Sequence, residues 1–97
     1  MYLVRDVFST KPGKAKDLVK KFKQAAPSFE KHGMKGLRVM TDIAANYWTV
    51  VFEYEVEDLG DFGKEIRTAT KEPDTAKILD GYMDLVTGGR REIYLME

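Results

Sequence analysis

The stretch from Asn46 to Val56, NYWTVVFEYEV, alternates its side chains with the period of two that is typical of a β-strand. One set is wholly apolar and consists of Trp48, Val50, Phe52, Tyr54 and Val56. The other set is mixed and consists of Tyr47, Thr49, Val51, Glu53 and Glu55. An apolar strand face is stable only when another layer covers it, so we expect helices to pack on the Trp48 side of a sheet.

The first half of the chain predicts two more strands around one helix. Tyr2–Phe8 is short and rich in β-formers, and Lys35–Asp42 is a second β-like run that a hairpin connection can join to the third. Between them an apolar stripe begins after Ala15, spans an arc of roughly 120° and ends at Gly33. The stripe contains Leu18, Val19, Phe22, Ala25, Ala26 and Phe29. Pro27 predicts a kink or a restart of this helix near Ala26.

The second half predicts a broken helical region and a last strand. Asp58 can cap a helix that Pro73 interrupts, and Asp74 can cap a further short piece. Gly88 and Gly89 are expected to end the helical region before the strand RREIYLME. The order βαββαβ is the ferredoxin-like pattern, an α+β fold with a four-stranded antiparallel sheet and helices on one face. We expect residues 1–97 to form one such domain.

Charge and composition argue against several partners. The chain has 16 basic and 16 acidic residues, so no net field favours nucleic acid or an anionic membrane. The lysines after Lys11 spread around the polar side of the first helix, which is typical of a solvated face. No stretch approaches the ~20 apolar residues of a membrane span. We expect no nucleic-acid and no membrane partner, and the absence of cysteine suits a cytoplasmic location.

Metal and cofactor sites have little support in the sequence. His32 is the only histidine and there is no cysteine, so a metal site would depend on carboxylates such as Glu53 and Glu57. No glycine-rich loop precedes a helix, as a phosphate site requires. We therefore predict no cofactor and no metal. His32 lies where the first helix should end, and its expected role there is an interaction with the helix dipole.

Charged residues inside the β patterns are the best candidates for a site. In the expected strand order the first and third strands are neighbours, so Arg5 and Glu53 can meet on the face away from the helices. Enclosed charges are costly unless paired, so this pair is either a structural ion pair or a polar anchor for a ligand. Tyr and Thr hydroxyls could assist. The candidate ligand-binding residues are Arg5, Arg38, Tyr47, Thr49, Glu53 and Tyr94.

Four short motifs in this element order resemble the dimeric α+β barrel superfamily along essentially the whole chain. They are FSTKPGK from Phe8, EDLGDF from Glu57, KEPD from Lys71 and GGRREIY from Gly88. The superfamily includes cofactor-free antibiotic-biosynthesis monooxygenases, haem-degrading enzymes and NIPSNAP-type proteins. The resemblance implies a homodimer that packs sheet to sheet around a barrel. The haem-degrading branch uses a histidine in the second helical region, where this chain has none, so haem is not expected.

The sequence leads to three functional hypotheses. The first is a small homodimeric α+β-barrel protein that binds a small, mostly apolar or aromatic ligand in its sheet-lined cavity. The second is a cofactor-independent monooxygenase-like enzyme, in which Arg5 or Arg38 stabilises an oxyanion and Glu53 takes a proton if burial raises its pKa. The third is a non-catalytic dimeric interaction module. No residue is assigned a catalytic role from the sequence.

Overall fold

The structure, a computed structural model, describes residues 1–97 and has the predicted βαββαβ order. The strands are β1 (Tyr2–Thr10), β2 (Lys35–Thr41), β3 (Thr49–Val56) and β4 (Val86–Leu95). The helices are α1 (Ala15–Lys31), α2 (Leu59–Lys71) and α3 (Pro73–Leu79), followed by a 3-10 turn at Tyr82–Leu85. No helix has both the length and the apolar character needed to cross a membrane.

The four strands form one antiparallel sheet in the order β2-β3-β1-β4. The central strand β1 places Arg5 opposite Glu53 of β3 on one side and opposite Glu92 of β4 on the other. The predicted neighbourhood of the first and third strands is therefore confirmed. All helices pack on one face, and we call the other the open face.

The core lies between the sheet and the helices, on the apolar side of β3. Phe52 and Tyr54 are buried there, and Phe52 stacks on Phe22 of α1 with ring centroids 4.9 Å apart. The buried positions of α1 are Ala15, Leu18, Phe22, Ala25 and Phe29. Burying one such large apolar side chain contributes roughly 1.5–3 kcal/mol, so this layer is the main source of stability.

The helix boundaries confirm one predicted cap and correct two other predictions. Asp58 caps α2, because its Oδ1 accepts the Gly60 N–H at 2.7 Å. The predicted restart at Pro27 is wrong, since α1 runs without a break from Ala15 to Lys31. Asp74 is not a cap either: Pro73 occupies the first turn of α3, and Glu72 precedes it. Proline suits that position because its missing N–H would have no helical partner there.

Trp48 lies outside the core, so its prediction as a helix-facing strand residue is wrong. β3 begins one residue later, at Thr49, and Trp48 is 42% exposed with a positive φ of 61°. The hairpin closes around it, because Asp42 Oδ1 accepts the Thr49 N–H at 2.9 Å and the Trp48 carbonyl accepts the Thr10 N–H at 2.8 Å. The backbone at Trp48 is left-handed where the hairpin closes, and its side chain lines a surface pocket with Ala15 and Lys16 at the start of α1 and lies outside the core.

β4 begins at Val86, earlier than predicted, and includes the two glycines. Gly88 and Gly89 pair with Ser9 and Phe8 of β1 and do not end a helix. A Cβ atom added to Gly89 would lie 2.8 Å from the Val7 carbonyl oxygen. Glycine is therefore required at this position because the backbones of β1 and β4 approach closely. In the sequence alone, a pair of glycines with this role looks the same as a pair that ends a helix.

Candidate functional site

Four side chains of alternating charge cross the open face, one from each strand. We call Arg38, Glu53, Arg5 and Glu92, in that order, the charged row. Glu53 Oε1 lies 2.7 Å from Arg38 Nη2, and Glu53 Oε2 lies 2.9 Å from Arg5 Nε. Arg5 Nη1 lies 3.6 Å from Glu92 Oε1. The predicted meeting of Arg5 and Glu53 is confirmed, and Arg38 joins it.

Glu53 is the most enclosed member of the charged row, with only 6% of the residue exposed. Burial by itself would raise the pKa of its carboxyl, but hydrogen bonds from Arg5 and Arg38 outweigh burial and lower that pKa below the ordinary value. The hypothesis that burial raises the pKa of Glu53 and makes it a proton acceptor is therefore wrong. A carboxylate with both oxygens engaged by guanidinium groups is a structural anion.

The remaining predicted site residues divide between two places. Tyr94 joins the charged row, because its hydroxyl donates to Glu92 at 3.0 Å and its ring lies 5.6 Å from the Arg5 guanidinium carbon. Thr49 is buried at the start of β3, where its hydroxyl donates to the Asn46 carbonyl at 2.7 Å. Tyr47 is 88% exposed in the β2–β3 connection. The structure thus brings Tyr94 to the row and leaves Tyr47 and Thr49 apart from it.

The largest cavity lies on the opposite face of the sheet. This helix-side cleft has a volume of about 510 Å³ and opens between the sheet and the helical layer. Its apolar walls come from Phe8 and Phe52 of the sheet, Phe22 and Phe29 of α1, Ile66 of α2 and Leu79 of α3. The volume falls within the roughly 300–1,000 Å³ of small-molecule sites, and predominantly aromatic walls are typical of such sites.

An ion pair between a buried carboxylate and a partly exposed guanidinium supplies the polar end of the helix-side cleft. Asp6 is only 6% exposed and accepts hydrogen bonds from Arg91 Nε at 2.6 Å and Nη2 at 3.2 Å. The hydrogen bond to Asp6 raises the pKa of Arg91, whose guanidinium carbon also lies 5.2 Å from the centre of the Phe62 ring. Arg91 Nη1 makes no hydrogen bond within the protein, so its N–H groups remain available to a ligand.

The Tyr54 hydroxyl is the one buried side-chain polar atom without a hydrogen-bond partner. Burial raises the pKa of Tyr54, and the charge of Asp6 raises it further, so the hydroxyl lies within electrostatic reach of the Asp6–Arg91 pair. Leaving such a group unsatisfied costs roughly 1–3 kcal/mol. Tyr54 therefore stays a protonated, uncharged group beside the polar end of the cleft.

Sequence reasoning overlooked Asp6 and did not assign Arg91 to a site. A signal for Asp6 was present, because it alternates with Val4 and Phe8 on the helix-facing side of β1, where an acid is unexpected. Its partner could not be read from the sequence, since pairing Asp6 with Arg91 depends on the register of β4. No group of three or more His, Cys, Asp and Glu side chains is arranged to hold a metal ion.

The strand order and the one-sided helical layer define the class of this protein: it has a ferredoxin-like α+β fold. No protein-family model matches the sequence, and no curated protein matches it. Solved structures, in contrast, share the fold over almost the whole chain. These structures are only 12% to 17% identical to this chain, so their similarity establishes the fold. At the level of the fold, the predicted resemblance is confirmed.

A NIPSNAP domain protein from Burkholderia xenovorans superimposes with a TM-score of 0.81 at 12% identity, covering 100% of this chain and 95% of that one. A NIPSNAP family protein from Agrobacterium tumefaciens has a TM-score of 0.81 at 12% identity, with 99% and 92% covered. A proposed antibiotic biosynthesis monooxygenase from Deinococcus radiodurans has a TM-score of 0.71 at 17% identity, with 100% and 93% covered.

Proposed function

We propose that the protein is a homodimer in which each protomer binds a small, mostly apolar molecule in the helix-side cleft. The observation that carries this proposal is the combination of aromatic walls with one polar end, formed by Asp6 and Arg91. A cleft with many apolar side chains and few fixed polar groups provides affinity from burial and orientation from hydrogen bonds.

The polar end also defines the chemistry of the ligand. Asp6 already neutralises Arg91, so an additional anion gains less from Arg91 than it would from an unpaired guanidinium. An uncharged acceptor, such as a carbonyl or hydroxyl oxygen, can bind the free Nη1 without leaving a buried charge unpaired. The ligand we propose has a planar apolar body of a size that suits about 510 Å³ and one such oxygen.

The proposed dimer forms through the open face. This face carries apolar side chains from three strands, among them Val7, Met40 and Val51, around the charged row. Each charge of the row has an opposite partner, with Glu92 pairing with both Arg5 and Arg90, so a second copy could cover it without stranding an ion. The predicted sheet-lined cavity would then lie between the copies, with Arg5, Arg38, Glu53 and Tyr94 on its walls. It is the alternative location for the ligand.

A thermal-stability screen with a cleft-filling variant tests the ligand site. A compound that binds only the folded state raises Tm, and at a hundredfold excess over Kd it adds about 2.7 kcal/mol. Ala76→Phe would fill the cleft from α3, while the matched variant Ala44→Phe places the same ring on the exposed β2–β3 connection. Aromatic ketones and phenols should stabilise the wild type and Ala44→Phe but not Ala76→Phe. Equal stabilisation of all three would contradict the cleft as the site.

A cofactor-independent, monooxygenase-like reaction is the second candidate function. Its support is the free Nη1 of Arg91, which could stabilise an oxyanion on a phenolic substrate in an apolar cleft, together with the fold shared with a proposed monooxygenase. Oxygen uptake with compounds from the screen, measured without added cofactor, tests it. Binding without oxygen uptake or product would indicate a binding protein. A dimer that binds none of the compounds would favour the third hypothesis, a non-catalytic interaction module.

A further inference from the structure

One wall of the helix-side cleft is the short helix α3. A single residue, Glu72, connects α3 to α2, and we call this residue the hinge. α3 contributes Ala76 and Leu79 to the wall. The backbone of Glu72 is extended, with φ −58° and ψ 134°, so the two helices are not continuous there. α3 has a single fully buried residue, Thr75, while Ile78 and Leu79 are only partly buried against the core, so the contacts at its ends also help to hold it in position.

α1 holds both ends of α3 with polar side chains. At the C-terminal end, Lys21 Nζ donates to the carbonyls of Ile78 at 3.2 Å and Asp80 at 2.8 Å. At the N-terminal end, the Ser28 hydroxyl donates to Glu72 Oε2 at 3.3 Å, and the His32 ring binds Glu72 Oε1. The hinge is therefore fastened to the last turns of α1.

His32 bridges two carboxylates from different parts of the α2–α3 segment. Its Nε2 contacts Glu72 and its Nδ1 lies 3.2 Å from Glu65 Oε2 of α2, with only 14% of the side chain exposed. Neutral imidazole has one N–H, so it can donate to only one of these acceptors, whereas imidazolium donates to both. The geometry is complete only when His32 is protonated.

We propose that protonated His32 is a latch that holds the hinge and α3 against the cleft, so that its deprotonation loosens this wall and speeds ligand exchange. The structural part of this proposal stands on the contacts of His32 alone. The ligand-exchange part rests on the proposed function, because it requires that the helix-side cleft is the binding site.

The other charges around His32 leave an acidic environment. From α1, Lys31 lies 3.8 Å from Glu72 and shares that carboxylate with His32. From the sheet side, Lys35 is paired with Glu57 at 2.9 Å. From α2, Asp58 and Asp61 line the same shallow cavity as His32, and Asp58 is engaged as the α2 cap. The uncompensated charge facing the imidazole is negative, which favours the protonated form.

The direction of the pH effect follows from the same contacts. The hydrogen bond with Glu72, and then that with Glu65, raise the pKa of His32 above its ordinary 6.5. A group with a raised pKa in the folded state contributes fully below its unfolded pKa and loses that contribution as pH rises through the folded value. The latch is therefore closed in mild acid and opens on the alkaline side.

Amide hydrogen exchange of α3, corrected for the intrinsic rate at each pH, tests the latch without any ligand. The reporters are the Ala76 and Asp80 amides, which donate to Glu72 and Lys77. In the wild type their protection should fall about tenfold between about pH 6 and about pH 8.5, the effect of weakening one hydrogen bond to a charged group. His32→Gln should be weakly protected at both pH values. The matched variant Glu30→Gln, an exposed position on α1, should behave as the wild type.

Stopped-flow binding of 6-propionyl-2-(dimethylamino)naphthalene, an uncharged fluorescent aromatic ketone, tests ligand exchange. Its exchange should be about tenfold faster at the higher pH in the wild type, independent of pH in His32→Gln, and absent from Ala76→Phe. pH-independent protection of α3 in the wild type would overturn the latch, even if Ala76→Phe abolishes probe binding and so supports the cleft. If the amide protection of α3 depends on pH but Ala76→Phe does not affect probe binding, the cleft is not the binding site. That result would overturn the proposal that His32 controls ligand exchange.

Discussion

Asp6 and Arg91 form a bidentate ion pair on the helix-facing side of the sheet, directly behind the Arg5–Glu53 pair of the open face. Consecutive residues of β1 thus carry ion pairs on opposite faces of one sheet. The pair on the open face is one link in a row across all strands, whereas Asp6 and Arg91 stand alone among aromatic rings. On the helix-facing side, therefore, the polar groups that a ligand in the cleft can contact are those of Asp6 and Arg91.

Removing Asp6 should destabilise the protein, because two charge-assisted hydrogen bonds between its buried carboxylate and Arg91 would be lost. We expect Asp6→Ala to lower the free energy of unfolding by about 1.5–3 kcal/mol, the range for hydrogen bonds to charged groups. Urea unfolding measures the change. In the Arg91→Met background the same substitution should cost much less, and an equal cost in both backgrounds would show that the pair contributes nothing.

Glu53 should make stability depend on pH in the acid range. Its folded-state pKa lies below the ordinary 4.5, so its contribution is present above the unfolded pKa and is lost as pH falls through the folded value. The free energy of unfolding should therefore decrease as pH falls below about 4.5. Urea titrations of the wild type and Glu53→Gln should show a smaller slope in the variant. Parallel curves would mean that Arg5 and Arg38 do not perturb this carboxyl.

Much of the fold could be predicted because its signals are local and repeated. The alternation through Phe52 and Tyr54 identifies the core face of β3, and the element order places Arg5 beside Glu53 once β1 and β3 are neighbours. These predictions need only a period and a strand order. They are confirmed because neither depends on where a strand begins or ends.

The features that sequence reasoning missed depend on tertiary contacts. The period of two continues from Val50 back through Trp48, but the chain turns there to satisfy hydrogen bonds with Thr10, which lies far away in sequence. Similarly, Gly89 marks a close approach to β1, and the pairing of Arg91 with Asp6 depends on the register of β4 against β1. Periodicity cannot reveal contacts between distant strands, so the helix-side cleft was not predicted.

The backbone at Trp48 offers a direct measure of strain. A non-glycine residue at φ 61° costs roughly 1–2 kcal/mol, whereas glycine tolerates this region at a small entropic cost. Since both replacements remove the indole, Trp48→Gly should be more stable than Trp48→Ala by about 0.5–1 kcal/mol. Urea midpoints of the two variants give the difference. Greater stability of the alanine variant would show that the turn changes its conformation once the indole is gone.

A charge placed at the centre of the open face should prevent association if the proposed dimer is correct. Val51 lies on β3 opposite Val7 of β1 and Met40 of β2, so Val51→Glu would bury an unpaired carboxylate between two copies. The matched variant Ile43→Glu adds the same charge to a fully exposed loop position. Sedimentation velocity at micromolar concentration should show dimers for the wild type and Ile43→Glu, and monomers for Val51→Glu. A monomeric wild type would remove the dimer, and with it the sheet-lined cavity as an alternative ligand site.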